Sequence, residues 1–168
     1  MSSSVDPITL ASIWNGLIAA AEEVGIAIRA TAFTEAIREG DDFSVGVFDA
    51  AGRMVAQGNF SPGHLGAMPF TMKQFLAEWP LDTWAPGDAV ITNDPLIGTG
   101  HFPDFCMAVP VFSDERVVAF VVATCHHIDV GGAAPGSQQV EGIIDFFQEG
   151  LHVPPVHLYR KGEFVRDV

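Results

Sequence analysis

The sequence predicts an α/β (α+β) fold, with a mixed, largely antiparallel sheet built from β-hairpins and a long N-terminal helix packed on it. Residues 105–112 and 117–123 are Val- and Phe-rich runs of strand length, split by Ser113-Asp114-Glu115-Arg116, which is the pattern of a hairpin. Residues 43–48 and 53–57 repeat the arrangement around Asp49-Ala50-Ala51-Gly52, where glycine supplies the positive φ that such turns often need. Near the N-terminus Ile13, Leu17, Ala21, Val24 and Ile28, with Trp14, recur at helical spacing. At 168 residues the chain has the length of one domain, 1–168, and can bury a core.

The helix starts with Asp6 as N-cap and Pro7 at its first position. It runs to about Arg29, some six turns. Gly16 and Gly25 weaken it by about 1 kcal/mol each relative to Ala, so close packing is the expected reason for them. The apolar positions of this helix are expected in the core, and none of its residues looks catalytic. Residues 31–42 carry Glu35, Arg38, Glu39, Asp41 and Asp42, a solvated helix end from which one carboxylate can reach a site beside the next strand. Residues 61–69 form a loop in which His64 stands between glycines, and a ring bonded to backbone competes there with a site role. Residues 70–79 have helical spacing. Residues 88–92 form a buried strand that delivers Asn93-Asp94-Pro95. Residues 135–145 are loop-like, Gly150 with Pro154-Pro155 excludes a long helix there, and 158–164 reads as strand and turn.

Eight basic against 21 acidic residues give a net charge of −13, which argues against nucleic acid or an anionic membrane as partner. No apolar run approaches the roughly 20 residues needed to cross a bilayer. Met1 to Asp6 lacks a basic segment followed by an apolar core, so no signal peptide is expected. Cys106 and Cys125 make no disulfide framework, and the expected compartment is the cytoplasm. There is no GxGxxG and no Walker sequence, hence no nucleotide site is expected on this chain.

Chemistry gathers at one end of the second hairpin. With the turn centred on Asp114-Glu115, a uniform register puts Ser113 opposite Arg116, Asp104 opposite Cys125 and Pro103 opposite His126. Adjacent strands lie only about 4.8 Å apart. His101, Asp104 and His126, with His127 or Asp129, therefore meet in Gly- and Pro-rich loops on a rigid scaffold, where sites concentrate. Two imidazoles and a carboxylate suit a divalent metal.

The chain resembles the N-terminal part of the hydantoinase B/oxoprolinase family. The matching segments are Asp6-Pro7-Ile8-Thr9-Leu10, then Glu39 through Asp42-Phe43-Ser44, Phe48-Asp49 and Gly52-Arg53. They continue with His64-Leu65-Gly66-Ala67-Met68-Pro69, Asn93-Asp94-Pro95, His101-Phe102-Pro103-Asp104, His126-His127-Ile128-Asp129-Val130-Gly131-Gly132, Gln148-Glu149-Gly150 and Pro154-Pro155. The resemblance implies a metal held by an acidic residue before the first strand, Glu39 or Asp42, together with His101, Asp104 and His126. Mixed His and carboxylate ligands suit Zn, Mn or Fe. It also implies catalytic roles for His127 and Asp129, and a substrate wall that includes His64, Asn93 and Asp94.

The family's division of labour has an A-type ATP-dependent hydantoinase subunit phosphorylate a small cyclic amide. The B-type subunit then uses its metal to activate water against the phosphorylated substrate. ATP is therefore used by the partner and not bound by this chain. The alternatives within the resemblance are a subunit of a metal-dependent ketone carboxylase and a catalytically silent assembly fragment. Leu96 replaces the usual aromatic after Asn-Asp-Pro, and Gly98-Thr99-Gly100 the usual Gly-Gly-Thr, both in the expected substrate wall. Family members run to several hundred residues, which implies a fragment, a split subunit or a truncated product that works with a further B-type chain or C-terminal part.

Overall fold

Asp6 accepts hydrogen bonds from the amides of Ile8 and Thr9, and with Pro7 at the first position it starts α1, Pro7–Thr31. The protein is described here by a computed structural model covering residues 5–167; the segment in which no leader is expected lies mostly outside them. α2, Glu35–Arg38, is a single turn. The strands follow as β1 (Phe43–Asp49), β2 (Met54–Gln57), β3 (Ala89–Thr92), β4 (Asp104–Ser113), β5 (Arg116–His126), β6 (Val156–Arg160) and β7 (Glu163–Phe164), with α3 (Met68–Glu78) between β2 and β3. They form one sheet in the order β2-β1-β5-β4-β3-β6-β7, and every pairing described is antiparallel.

Each face of the sheet has its own apolar cluster. Phe43, Val45 and Val47 of β1 pack with Ala21 of α1, Ile37 of α2 and Ala56 of β2. Phe48 of β1 points the other way, joining Met68, Met72 and Phe75 of α3 with Cys106, Ala108, Phe120 and Val122. Alternation along a strand produces that division. β1 is buried from Phe43 to Phe48, as expected of a strand covered on both faces.

The register differs from the uniform one in a way that sets up the site. Phe112 pairs with Val117, but Val111 pairs with Ala119, so Val118 is an extra residue on β5. This bulge moves every later pair by one, and Asp104 lies opposite His126 rather than Cys125. Paired residues share a face, so a one-residue shift exchanges which side chain stands beside Asp104.

α1 also departs from expectation. Leu17, Ile18, Val24 and Ile28 pack against the sheet, whereas Ile13 and Trp14 are 52% and 56% exposed and Ile8 is 79% exposed. The helix is about 37 Å long at 1.5 Å per residue; Ile13 and Trp14 lie on the same stripe as Leu17 and Ile18 but in its less covered first turns, and Ile8 lies on the side away from the sheet. By length and composition alone it could cross a membrane; in the fold it packs on β1 and β2 through close contacts. A Cβ on Gly25 would lie 2.0 Å from the Phe60 ring, which accounts for that glycine. Gly16 has open space around its Cβ position, and nothing in the packing explains it.

Candidate metal centre

Three adjacent strands deliver the site. Asp104 opens β4, His126 ends β5, and Asp42 immediately precedes β1, where His126 N–H donates to Asp42 O at 3.1 Å. Residues 42, 44, 104 and 126 share the sheet face that carries α3, by strand alternation. Two loops add His64 and His101.

Asp104 is the hub. Its Oδ1 lies 2.9 Å from His101 Nε2 and 3.0 Å from His126 Nδ1, and its Oδ2 lies 3.3 Å from His64 Nε2. Asp104 and His126 are buried, and His101 is partly exposed. Burial alone would push the Asp104 carboxyl up, but hydrogen bonds and charge from His101 and His64 overcome it and hold the group well below the usual carboxylate range. The hydrogen bond to Asp104 raises His101 against the opposing effect of burial, with Glu149 and Asp42 adding to the rise.

The donor set fits a divalent ion. One ligand atom from each of His101, Asp104 and His126 lies within 4.8 Å of the other two. Ligands about 2.1 Å from an ion are about 3.0 to 3.4 Å from their neighbours in octahedral or tetrahedral arrangements, close to the two short separations at Asp104. Imidazole and carboxylate suit Zn, Mn and Fe alike. The thiols lie apart from this group: Cys106 is buried in the apolar cluster beneath α3, and Cys125 packs on the other face of the sheet; burial pushes them up to about 11 and about 12.

Of the two acidic candidates, Asp42 is the one brought to the cluster, with Oδ2 at 3.9 Å from His126 Nδ1. Glu39 is exposed at the end of α2, and its side chain makes no hydrogen bond or ion pair among the described residues. His127 and Asp129 are exposed and point elsewhere. They line a recess of about 470 Å³ with Ile91, Phe105, Val130, Gly131 and Leu151. His127 Nδ1 lies 3.0 Å from Cys125 O. A carbonyl only accepts, so this contact is favourable with the hydrogen on Nδ1.

Asn93 is placed differently from the expected substrate wall. It is fully buried, its amide donates to Phe102 O and Leu151 O at 2.8 and 2.7 Å, and its Oδ1 accepts from Val153 N–H at 2.6 Å. Every polar atom of the side chain is committed to backbone, so it clamps the His101 loop to the segment before β6. Asn93→Ala should cost about 3 kcal/mol, since buried partners left unpaired cost about 1 to 3 kcal/mol each. At about 2 to 4 °C per kcal/mol for a chain of this size, a thermal melt should fall by about 6 to 12 °C. An unchanged melting temperature would remove the clamp. Asp94 caps the turn at Pro95–Ile97 through the Leu96 amide and faces His152 Nε2 at 3.2 Å.

Glu149, quoted from the sequence only within the matching segment Gln148-Glu149-Gly150 and not as a site residue, joins the site. It accepts from Ser137 Oγ at 2.7 Å, faces the Phe102 amide at 3.4 Å, and its charge acts on His101. Its backbone runs so close to the loop after His126 that a Cβ on Gly132 would lie 2.1 Å from Glu149 O. The two glycines ending His126-His127-Ile128-Asp129-Val130-Gly131-Gly132, together with Gly150, are the sequence signal for that approach.

The chain matches known proteins over nearly all its length. Residues 6–168 match the family model described as hydantoinase B/oxoprolinase. The putative B subunit of a D-/L-hydantoinase from Pseudomonas sp. is 31% identical over 94% of this chain and 27% of its own. The crystal structure of an ATP-dependent caprolactamase from Pseudomonas jessenii superposes with a TM-score of 0.80 at 31% identity, over 98% of this chain and 28% of that one. A nucleotide-free acetone carboxylase structure gives 0.83 at 22% identity, over 96% and 21% respectively, and shares the fold. The chain spans less than a third of the length of the curated relatives it matches.

Proposed function

The chain belongs to the hydantoinase B/oxoprolinase family, and from that premise we propose that it is the metal-holding N-terminal part of a B-type subunit in an ATP-dependent cyclic-amide hydrolase. The observation that carries this reading is the contact of one buried carboxylate oxygen, Asp104 Oδ1, with His101 Nε2 and His126 Nδ1. His101, Asp104 and His126 would hold the ion, with Asp42 the adjacent acidic ligand. Such an ion lowers the pKa of water towards about 7 and polarises a carbonyl. The protein's own part is to fix those side chains on three neighbouring strands. Acid–base work is assigned to His127 and Asp129, which line a recess apart from that cluster.

ATP chemistry is assigned to an A-type partner subunit that phosphorylates the substrate, a small cyclic amide. Two relatives are named as the B and beta subunits of a hydantoinase and a caprolactamase, which supports that division. The remaining portion of a B-type subunit, in the same or another chain, is the proposed cover for the first turns of α1. Those turns expose Leu10, Ile13 and Trp14 on the stripe that further along packs against the sheet, and exposed apolar side chains grouped in this way mark a surface that another part of the protein covers.

The test is reconstitution. ATP-dependent ring opening of hydantoin, 5-oxoproline or caprolactam should require this chain, an A-type subunit and the remaining B-type portion. The chain alone should give none, with or without ATP. Turnover by the chain alone would overturn the division of labour, and consumption of a ketone with bicarbonate in place of a lactam would overturn the hydrolase reading.

A further inference from the structure

His64 stands in the expected substrate wall, but its surroundings give it other work. The side chain is only 12% exposed, and both ring nitrogens are engaged inside the protein. Nδ1 lies 3.1 Å from Ser44 Oγ, and Ser44 Oγ in turn lies 2.6 Å from Ser61 O. Nε2 faces Asp104 Oδ2 at 3.3 Å. A carboxylate only accepts, so this contact is favourable with the hydrogen on Nε2. Ser44, 1% exposed in β1, stands against the far side of the ring with its hydroxyl donated to Ser61 O. The two oxygens of Asp104 are thereby divided: Oδ2 is held by His64, and Oδ1 is presented to His101 and His126.

We propose that His64 is a positioning residue for the metal centre, holding Asp104 by Oδ2 so that Oδ1 alone is offered to the ion, with Ser44 against the far side of the His64 ring. This rests on the metal reading above. Groups that orient a ligand in this way typically change metal affinity by about 10- to 100-fold when removed. A ligand's removal costs more.

The experiment is a competition titration of the 168-residue chain with Zn²⁺ and Co²⁺ against a chromophoric chelator, with the visible spectrum of the Co²⁺ form recorded in parallel. His64→Ala should still bind one ion, about 10- to 100-fold more weakly, with an altered Co²⁺ spectrum. His64→Gln, whose amide can donate to Oδ2, should recover most of the affinity, and Ser44→Ala should lose less than His64→Ala. Thermal melts of the metal-free variants separate folding from ligation, and the Gln variant keeps the test open if the Ala variant does not fold. Unchanged affinity and spectrum in both His64 variants would overturn the proposal, as would loss of the ion as complete as in His101→Ala, which would make His64 a ligand. Failure of the wild-type chain to bind either ion would instead overturn the metal reading on which the proposal stands.

Discussion

Asp104→Asn should lower divalent-metal affinity by more than about 100-fold while leaving the far-UV circular dichroism of the chain unchanged. A single carboxylate joins His64, His101 and His126, so no other side chain in the cluster touches as many partners. Asn preserves the shape but replaces one oxygen with a donor and removes the charge. Changes behind a ligand cost about 10- to 100-fold, and removal of the shared carboxylate should exceed that range. Wild-type affinity in this variant, measured by chelator competition, would exclude Asp104 from the ligands.

The same substitution should change how the metal-free chain responds to pH. The Asp104 carboxyl is held below its ordinary 3.8. Its contribution is therefore present above that value and lost as pH falls through the folded one. His101 is raised above its ordinary 6.5, chiefly by Asp104. Its contribution is full below 6.5 and lost as pH rises through the raised value. Metal binding runs in the opposite sense, because an ion needs the bare nitrogen of His101. Wild-type protein without metal should thus weaken as pH rises through the His101 value, while metal loading increases. In Asp104→Asn both slopes should flatten.

Local patterns made much of this architecture readable. Asp6-Pro7 marks the start of α1, and the Val- and Phe-rich runs on either side of Ser113 to Arg116 mark β4 and β5. The convergence of those two strands also brings His101, Asp104 and His126 to one end of the hairpin, but not yet to one face of it. The Val118 bulge was not readable, because an extra Val in an apolar strand leaves the pattern of residue types almost unchanged. Strand order was equally hidden: β1 lies between β2 and β5, and that neighbour decides that Asp42 reaches His126 while Glu39 does not. The roles of Asn93 and Glu149 depend in part on partners 47 to 60 residues away, a distance over which a single sequence carries no pairing signal.

His126 and His127 should separate cleanly in a metal titration, with His126→Ala losing the ion and His127→Ala keeping most of it. Successive strand side chains face opposite ways, so only one of the pair can stand on the Asp104 face. In a uniform register that position would belong to Cys125, and His126 would face away beside Pro103. The bulge at Val118 turns His126 inwards instead: it is 5% exposed, with Nδ1 3.0 Å from Asp104 Oδ1. His127 is exposed, with its ring edge-on to Phe105 at 4.9 Å and Nδ1 at Cys125 O. His126→Ala removes a proposed ligand outright. His127→Ala leaves the cluster intact and should stay within about 10-fold of wild-type affinity, the mild end of the range for groups behind the ligands. In the reconstituted complex it should reduce ring opening through loss of the imidazole that lines the recess. If His127→Ala lost the ion and His126→Ala retained it, the bulge would be misplaced and the ligand set would have to be redrawn around the other face of the sheet.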